Sequence, residues 1–371
     1  MTAAPFAARL ERVRTAMAAG GCEALVLSVG PDLPWLCGYE AMPLERLTML
    51  VVTPDSASLV VPRLEAPRVI ERQELFELVP WDETDDPVAM VGALFGAARR
   101  VAVGDRTWAR FVIDLQTAVP GLTLSRASRV IGPLREIKDT SEIAALHRAG
   151  AAVDRIAAQL QRGDIPLIGR TEAEVSAELG RRILAEGHHR VNFAIVAAGP
   201  NAASPHHEPG ERRIEAGEVV LCDFGGTMLD VFGVGYCSDV TRCVWTGEVP
   251  IEAAEVYAVL HRAHGAAVAA ACPGVECQEV DRAARRVITE AGWGEQFVHR
   301  TGHGMGVEEH EDPYIVEGNE ARIRVGHCFS IEPGIYLEGR FGFRLEDCVV
   351  ADDVGPDPLT VSDHDLVPVD A

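Results

Sequence analysis

The chain has 371 residues, of which 47% are hydrophobic, and its formal net charge is −22 at pH 7. That length suits two domains with substantial cores, and the negative charge argues against nucleic acids and anionic membranes as partners, because either would repel the chain. A metal cation is the charged partner that this composition favours.

The location of the protein can also be predicted. No apolar run reaches the ~18 residues of a membrane span, and the N-terminal "MTAAPFAARLERVR" lacks the apolar core of a signal peptide. We therefore expect a cytoplasmic protein. The nine cysteines include no Cys-x-x-Cys pair, which predicts reduced, mostly buried thiols and neither a disulfide framework nor a zinc ribbon.

The first part of the chain predicts an α/β domain. Leu10, Val13 and Met17 recur at helical spacing, and Gly20-Gly21 ends that helix before the strand-like "ALVLSV". "TMLVVTPDSASLVVP" predicts a hairpin, and "MVGALFGAARRVAVGD" a helix followed by a strand. The polar segment "GPLREIKDTSEI" then marks a domain boundary, so that we predict domains of residues 1–133 and 134–371.

The sequence of the second domain predicts long helices separated by strands that glycines interrupt. The first helix after the boundary has an apolar face from Ile143 to Leu160, and the next begins with Thr171 and Glu174 in capping-box spacing. Further helices are predicted around residues 250–271 and 278–291.

An internal repeat lies among those strands. "EAGEVVLCDFG" (residues 215–225) and "RVGHCFSIEPG" (residues 324–334) align without gaps, and the alignment matches Gly217 with Gly326, Asp223 with Glu332, and Gly225 with Gly334. Each copy predicts an apolar strand that ends at a carboxylate just before a glycine turn. Each copy also has a second carboxylate downstream, Asp239 in "YCSDVTR" and Glu346 in "FRLEDCVV". We therefore expect a duplicated half-unit.

The four repeated carboxylates predict a metal centre. If the half-units pack about a pseudo-twofold axis, these side chains meet at its centre, where mutual repulsion and burial both raise their pKa values. Two divalent cations would balance the four charges. Thr241 and Arg242, which follow Asp239 directly, are placed to orient a ligand by hydrogen bonds.

The stretch "HRTGHGMGVEEHEDP" (residues 299–313) holds three histidines. Their spacing does not match the His-Glu-x-x-His helix of zinc proteases, and each glycine would cost a helix about 1 kcal/mol relative to alanine. A loop or strand with close backbone approach is predicted instead. His303 could then add one nitrogen ligand to the carboxylates, a donor set that suits Mn²⁺ or Co²⁺ and also accepts Zn²⁺.

These motifs together resemble those of the pita-bread metallopeptidases, the family of Xaa-Pro aminopeptidases, prolidases and methionine aminopeptidases. The family's five-ligand pattern falls on "DFGG", "YCSDVTR", "TGHGMG", "SIEPG" and "RLED". The resemblance implies an α/β creatinase-like N-terminal domain followed by an α+β pita-bread catalytic domain. It also implies two metal ions, with Asp239 and Glu346 bridging both, Asp223 binding one, and His303 and Glu332 binding the other.

The resemblance further implies metal-assisted peptide hydrolysis. His206 in "NAASPHHEPG" and His310 in "GVEEHEDP" would contact the scissile carbonyl and its developing oxyanion, and Glu332 would shuttle the proton of the attacking water. Arg344 would steady the substrate or a bridging carboxylate. His207 is expected to be an ordinary solvated loop residue.

The long N-terminal domain favours the Xaa-Pro branch of the family, and "WLCGYEA" is similar to a recurring piece of that branch's N-terminal domain. In that branch the N-terminal domain reaches over the active site of a partner subunit. The resemblance therefore implies a homodimer that cleaves short peptides with proline at the second position, of aminopeptidase P or prolidase type.

Two features depart from the family pattern. The segment between Asp223 and Asp239 is longer than the commonest family spacing, which predicts a longer hairpin near the site. Tyr314 follows Pro313 in a region where dipeptide specialists have a basic residue for the substrate's carboxylate, which argues against a dipeptidase. The alternatives are a metal-free relative, acting as a creatinase-like hydrolase or a binding module, and a lyase relative that keeps its metals. Retention of all five ligand positions argues against a metal-free relative.

Overall fold

A computed structural model of the chain describes residues 5–370. They form two compact units, the first running to residue 135 with residues 231–234 added, and the second comprising residues 136–230 and those from 235 onward. Within the described range, no helix combines the length and apolar character needed to cross a membrane.

The first unit is an α/β layer, as the sequence predicts. Its elements are α1 (Phe6–Ala19), β1 (Ala24–Leu27), α2 (Asp32–Cys37), β2 (Met49–Val52), β3 (Ala57–Pro62), β4 (Glu77–Trp81), α3 (Pro87–Leu94), β5 (Arg100–Val103), α4 (Ala109–Ala118), β6 (Thr123–Arg126) and α5 (Ser128–Arg135). The strands form a mixed sheet in the order β4-β3-β2-β1-β5-β6. The predicted hairpin is the antiparallel pair β2–β3.

Helix α1 shows how the sequence pattern determines the local structure in this unit. Leu10, Val13 and Met17 are buried, as their helical spacing predicts. The helix is followed by Gly21, whose φ of +64° lies in the left-handed region that glycine enters without steric cost. The chain then turns directly into β1, which is buried along its whole length.

The second unit is an α+β domain. Its elements are α6 (Thr140–Gln161), α7 (Glu172–Ala185), β7 (Arg190–Ala198), β8 (Val219–Leu229), β9 (Gly235–Cys237), β10 (Val240–Thr246), α8 (Ile251–Ala270), α9 (Cys277–Glu290), β11 (Gly302–Gly304), β12 (Glu311–Ile315), β13 (Cys328–Ile331), β14 (Gly334–Leu337), β15 (Phe341–Arg344), β16 (Asp347–Asp352), β17 (Gly355–Pro358) and β18 (Val367–Val369). The predicted capping box of α7 is present, since Thr171 and Glu174 exchange hydrogen bonds.

The internal repeat is visible in the strand pairing. In one half β8 pairs antiparallel with β7 and β10, and in the other β13 pairs antiparallel with β11 and β16. The matched glycines Gly217 and Gly326 have φ angles of +90° and +89°, so both copies enter their central strand through the same left-handed turn. A bridge between Thr241 and Glu346 joins the halves.

One prediction for the repeat is wrong. Asp223 does not end its strand before a glycine turn, because β8 continues through Gly225 to Leu229 and then pairs with β9. Gly225 serves close packing instead, since a Cβ there would lie 2.0 Å from the Ser238 carbonyl oxygen. The long segment before Asp239 therefore forms an extended hairpin.

The cysteines follow the prediction from composition. All nine are free, and seven of them are buried: Cys37, Cys222, Cys237, Cys243, Cys277, Cys328 and Cys348. Two of these pack behind the central strands, with the Cys348 thiol directed at the Asp239 carbonyl oxygen (3.5 Å) and the Cys243 thiol at that of Arg344 (3.4 Å). Burial raises the pKa of both thiols.

Candidate metal centre

The structure brings the five predicted ligand residues to the strand junctions between the two halves. Asp223 lies within β8 and His303 within β11, while Asp239 immediately precedes β10. Glu332 directly follows β13, and Glu346 directly precedes β16. Because the Thr241–Glu346 bridge ties β10 to the start of β16, carboxylates from distant parts of the chain are held in one place.

Imidazole and carboxylate atoms lie within a few ångströms of one another. His303 Nε2 is 3.3 Å from Glu332 Oε1 and 4.0 Å from Asp239 Oδ2. Ligand atoms of Asp239, His303 and Glu346 all lie within 4.8 Å of each other, and all three residues are buried. Such spacing allows a common ion to be shared.

The electrostatics of the cluster are unfavourable without added cations. Burial and the neighbouring carboxylates raise the pKa values of Asp239 and Glu346 well above their usual range. Burial likewise raises the pKa of Glu332 to about 7, although Arg344 opposes that shift. For His303, burial and the nearby His310 lower the pKa to about 3, which leaves a neutral imidazole.

Unpaired oxygens provide a test of whether metal ions fit. Asp223 Oδ1, Asp239 Oδ1 and Glu346 Oε1 are buried, and none has a hydrogen-bond partner among residues 5–370. A buried carboxylate oxygen without a donor is costly, so each calls for a cation. Oxygen ligands with one neutral imidazole are the donors that Mn²⁺, Co²⁺ and Zn²⁺ accept. The residues therefore fit divalent ions.

Thr241 and Arg242 make the kind of hydrogen bonds expected of them. Thr241 Oγ1 donates to Glu346 Oε2 at 2.7 Å, which orients that carboxylate. The guanidinium of Arg242 donates to the main-chain oxygen of Glu346 at 2.6 Å and to Asp347 Oδ1 at 2.7 Å. Arg242 thus holds the backbone that carries Glu346, without touching the carboxylate.

Arg344 pairs with Asp223, and not with either of the two carboxylates that the resemblance implies as bridging ligands. Its Nη2 donates to Asp223 Oδ2 at 2.6 Å, and its Nε donates to Thr241 Oγ1 at 3.2 Å. Nη1 donates to the Pro205 carbonyl oxygen at 3.1 Å and to Tyr336 Oη at 3.0 Å. Arg344 is only 2% exposed, so it links Asp223 to the loop that carries His206.

The remaining predicted histidines lie at the edge of the cluster. The ring of His310 lies 3.9 Å from that of His303, measured between centroids. Its pKa is lowered by partial desolvation, then by the positive charge of Arg300 and by the neighbouring His206. His206 is exposed on its loop and also lowers the pKa of His299. The structure therefore brings His310 next to the predicted ligand His303, with His206 close enough to influence the pKa values of His310 and His299.

Two groups of supporting residues were not identified from the sequence. Tyr336 Oη contacts His299 Nε2 at 2.9 Å and accepts from Arg344, but an aromatic residue in a strand is indistinguishable from core by pattern. The prediction of a solvated His207 is wrong, because its Nε2 lies 2.8 Å from Oε2 of the fully buried Glu172. The useful signal was Glu172 itself, an acid on the buried face of α7.

Comparison with known proteins gives a consistent assignment. The family model described as "Metallopeptidase family M24" matches residues 143–353, and "Creatinase/Prolidase N-terminal domain" matches residues 9–137. The chain is 42% identical over 370 residues to "Probable dipeptidase PepE" of Mycobacterium tuberculosis, covering 98% of this chain and 96% of that protein. It is 35% identical to the "Xaa-Pro dipeptidase" of Lactobacillus helveticus, covering 90% and 91%.

Solved structures show the same fold. The crystal structure of dipeptidase PepE from Mycobacterium ulcerans superposes with a TM-score of 0.91 at 40% identity, covering 100% of this chain and 99% of that one. The recombinant prolidase from Thermococcus sibiricus also gives a TM-score of 0.91, at 33% identity and with 99% and 100% coverage. The predicted creatinase-like N-terminal domain and pita-bread catalytic domain are thus confirmed.

Proposed function

The chain belongs to metallopeptidase family M24, and from this membership we propose that it is a two-metal Xaa-Pro dipeptidase, releasing proline from dipeptides with proline at the second position. The family implies divalent metal ions and places the chain with the prolidases. The observation that carries the two-metal proposal is the buried cluster of carboxylates with three unpaired oxygens.

Five residues would hold the ions. Asp239 and Glu346 would contact both, Asp223 would bind one, and His303 with Glu332 the other. Mn²⁺ or Co²⁺ is proposed for both positions, since four carboxylates and one imidazole form a hard, oxygen-rich set. When bound, a pair of such ions lowers the pKa of a shared water and polarises the peptide carbonyl.

The protein's own side chains would position the substrate and move the proton. Ser330 Oγ donates to Glu332 Oε1 at 3.2 Å, which fixes the carboxylate that would take the proton of the attacking water and pass it to the proline nitrogen. His206 and His310 would donate hydrogen bonds to the carbonyl oxygen as negative charge develops on it. Arg344 would hold Asp223 and the His206 loop in register.

Arg300 supports a dipeptide in preference to a longer peptide. Tyr314 occupies the region where a basic residue was expected, but the Arg300 guanidinium lies over the Tyr314 ring, 4.4 Å from its centroid. Arg300 Nη2 is also 3.5 Å from His310 Nδ1, and no carboxylate among residues 5–370 pairs with it. A guanidinium beside the carbonyl-binding histidine is suited to the C-terminal carboxylate of a dipeptide.

The test compares matched substrates. The Mn²⁺-loaded protein should cleave Xaa-Pro dipeptides better than Xaa-Pro-Yaa tripeptides and release free proline. Arg300→Gln should lower kcat/KM for the dipeptide by roughly tenfold or more, because a hydrogen bond to a charged group contributes about 1.5–3 kcal/mol. Tripeptide cleavage should change little.

The matched control is Arg286→Gln, which removes an exposed arginine on α9. It should leave the ratio of dipeptide to tripeptide cleavage unaltered. An unchanged ratio in Arg300→Gln would eliminate the dipeptide assignment, whereas absence of proline release from every Xaa-Pro substrate would eliminate the peptidase proposal.

A further inference from the structure

A second group of possible ligands lies outside the carboxylate cluster. His264 on α8, Asp347 at the start of β16 and His364 in the loop between β17 and β18 converge so that one ligand atom of each lies within 4.8 Å of the others. Asp347 follows Glu346 directly, and successive side chains of an extended segment point to opposite faces. The group therefore lies across the strand from the proposed catalytic ions.

The Asp347 carboxylate is oriented toward the two histidines. Its Oδ1 accepts hydrogen bonds from Arg242 Nη2 at 2.7 Å and from Thr360 Oγ1 at 2.8 Å. Its other oxygen, Oδ2, is 3.3 Å from His264 Nε2 and 2.6 Å from His364 Nε2. His264 is 3% exposed, and its Nε2 has no hydrogen-bond partner among residues 5–370. A buried nitrogen without a hydrogen-bond partner thus faces the same carboxylate oxygen that His364 approaches.

We propose that His264, Asp347 and His364 form a third divalent-cation site, which takes a borderline ion such as Zn²⁺. Two imidazoles and one carboxylate are ligands that zinc prefers. Tetrahedral bonds of about 2.0–2.1 Å separate neighbouring ligand atoms by about 3.3 Å, which matches the spacing of His264 and Asp347. His364 must withdraw by less than about 1 Å, and its partly exposed side chain lies on a loop, which permits that movement.

Two further features determine how this site would behave. A surface cavity lined by Tyr257, His261 and Asp365 lies beside the group and provides a route of entry for the ion. Arg242 already neutralises part of the Asp347 charge, so the site should bind more weakly than the carboxylate-rich centre and fill after it. Once filled, it would tie the C-terminal loop to α8 and β16.

Equilibrium dialysis of the full-length, metal-stripped chain against Zn²⁺ counts the ions. Wild type should bind one more equivalent than His364→Ala, a variant that should fold normally because the side chain lies partly exposed on a loop. His261→Ala is the matched control, because it removes an exposed imidazole whose ring centroid is 6.0 Å from that of His364 but which is not one of the three ligands. It should bind as many ions as wild type.

A second measurement isolates the site from the catalytic pair. Asp239→Ala should lose the catalytic ions yet still bind one Zn²⁺ and melt at higher temperature when Zn²⁺ is added. Adding His364→Ala to it should abolish that shift. Equal zinc stoichiometry in wild type and His364→Ala would overturn the proposal, even if Asp239→Ala failed to fold. Retention of the shift in the double variant would also overturn it.

Discussion

His303 and His310 lie side by side, with ring centroids 3.9 Å apart, but they are proposed to do different work. His303 is buried with its Nε2 facing Glu332, whereas His310 is exposed beside Arg300. A group that binds only the developing oxyanion adds nothing to ground-state affinity, while a ligand holds the ion that activates water.

His310→Ala should therefore keep its metal content and its KM while kcat falls by about 10²-fold or more, the effect of removing an oxyanion donor. His303→Ala should lose metal. Both variants should be analysed for bound Mn²⁺ and assayed with an Xaa-Pro dipeptide. Near wild-type turnover in His310→Ala, or loss of metal from it, would mean that the two roles are wrongly assigned.

His299 predicts a pH effect on stability. Burial, and then the Arg344 cation, lower its pKa to about 4. An unfolded histidine titrates near 6.5, so the unfolded chain binds more protons between those values, and stability is lost as pH falls from about 6.5 towards 4. His299→Gln should reduce the loss in unfolding free energy between pH 7 and pH 5 by about 2 kcal/mol, since one pKa unit is worth about 1.4 kcal/mol.

Urea unfolding of wild type and variant at both pH values measures this difference. His189→Gln, which replaces an exposed histidine just before β7, should lose as much stability as wild type. Equal acid sensitivity in wild type and His299→Gln would show that His299 remains protonatable in the folded chain.

Among individual residues, the sequence predicts those that lie in the internal repeat, but it does not predict those outside the repeat. Asp223 and Glu332 could be recognised because a duplicated half-unit presents each acid in the same context. Tyr336 and Glu172 have no counterpart in the repeat, and their importance comes from partners on other segments of the chain, such as His299 for Tyr336 and Ala198 for Glu172. Such partners are set by tertiary packing, which no local pattern encodes.

Among the elements, the loop after β7 depends most on a single side chain. Glu172 on α7 accepts hydrogen bonds from Ala198 N (2.8 Å) and Asn201 Nδ2 (3.0 Å) and faces His207 Nε2. These three contacts anchor both ends of the segment that presents His206. Helix α7 therefore determines the geometry of this loop more than the loop's own residues do.

Glu172→Ala should destabilise the chain by about 3 kcal/mol or more, because each buried polar group left without a partner costs about 1–3 kcal/mol. The turnover rate should fall as His206 is displaced, with bound metal unchanged. Glu172→Gln, which keeps an acceptor oxygen, should recover part of both losses. Glu174→Ala in the same helix turn should cost only about 1 kcal/mol, the value of a cap, and leave kcat intact.

The central strands of the two half-units differ in a way that their matched sequences do not predict. Gly225 and Gly334 occupy matched positions in the sequence, but Gly225 continues a strand whereas Gly334 begins one. The difference arises because β9 supplies a partner that extends β8. Both glycines occupy closely packed positions, and close packing alone does not show whether the chain turns there or continues as a strand.

For the whole molecule, the buried carboxylates predict metal-dependent stability. An ion that binds only the folded chain stabilises it by about 2.7 kcal/mol at a free concentration of 100 times its Kd. Saturating Mn²⁺ should thus raise the melting temperature of the stripped protein by roughly 5–10 °C, as expected for a domain of this size. Asp239→Ala should show no such rise in Mn²⁺, and a rise equal to that of wild type would exclude Asp239 as a shared ligand.

The assembly state is a separate prediction. We expect a homodimer of twice the chain mass of 39.9 kDa, because the resemblance to the Xaa-Pro branch implies an N-terminal domain that reaches a partner subunit. With −22 charges on each chain, mutual repulsion should weaken the dimer at low salt and screening should strengthen it. Light scattering at two ionic strengths tests both points, and a fully active monomer would refute the expectation.

The buried thiols behind the central strands have a consequence for the protein's chemical reactivity. Thiolates, not thiols, attack alkylating agents and capture soft metal ions. Because burial keeps Cys243 and Cys348 protonated, they pack as small apolar side chains beside a cluster of hard ligands. The centre can therefore be exposed to oxidants and thiol reagents while these two thiols stay unreactive, and loss of activity under those reagents would have to arise elsewhere in the molecule.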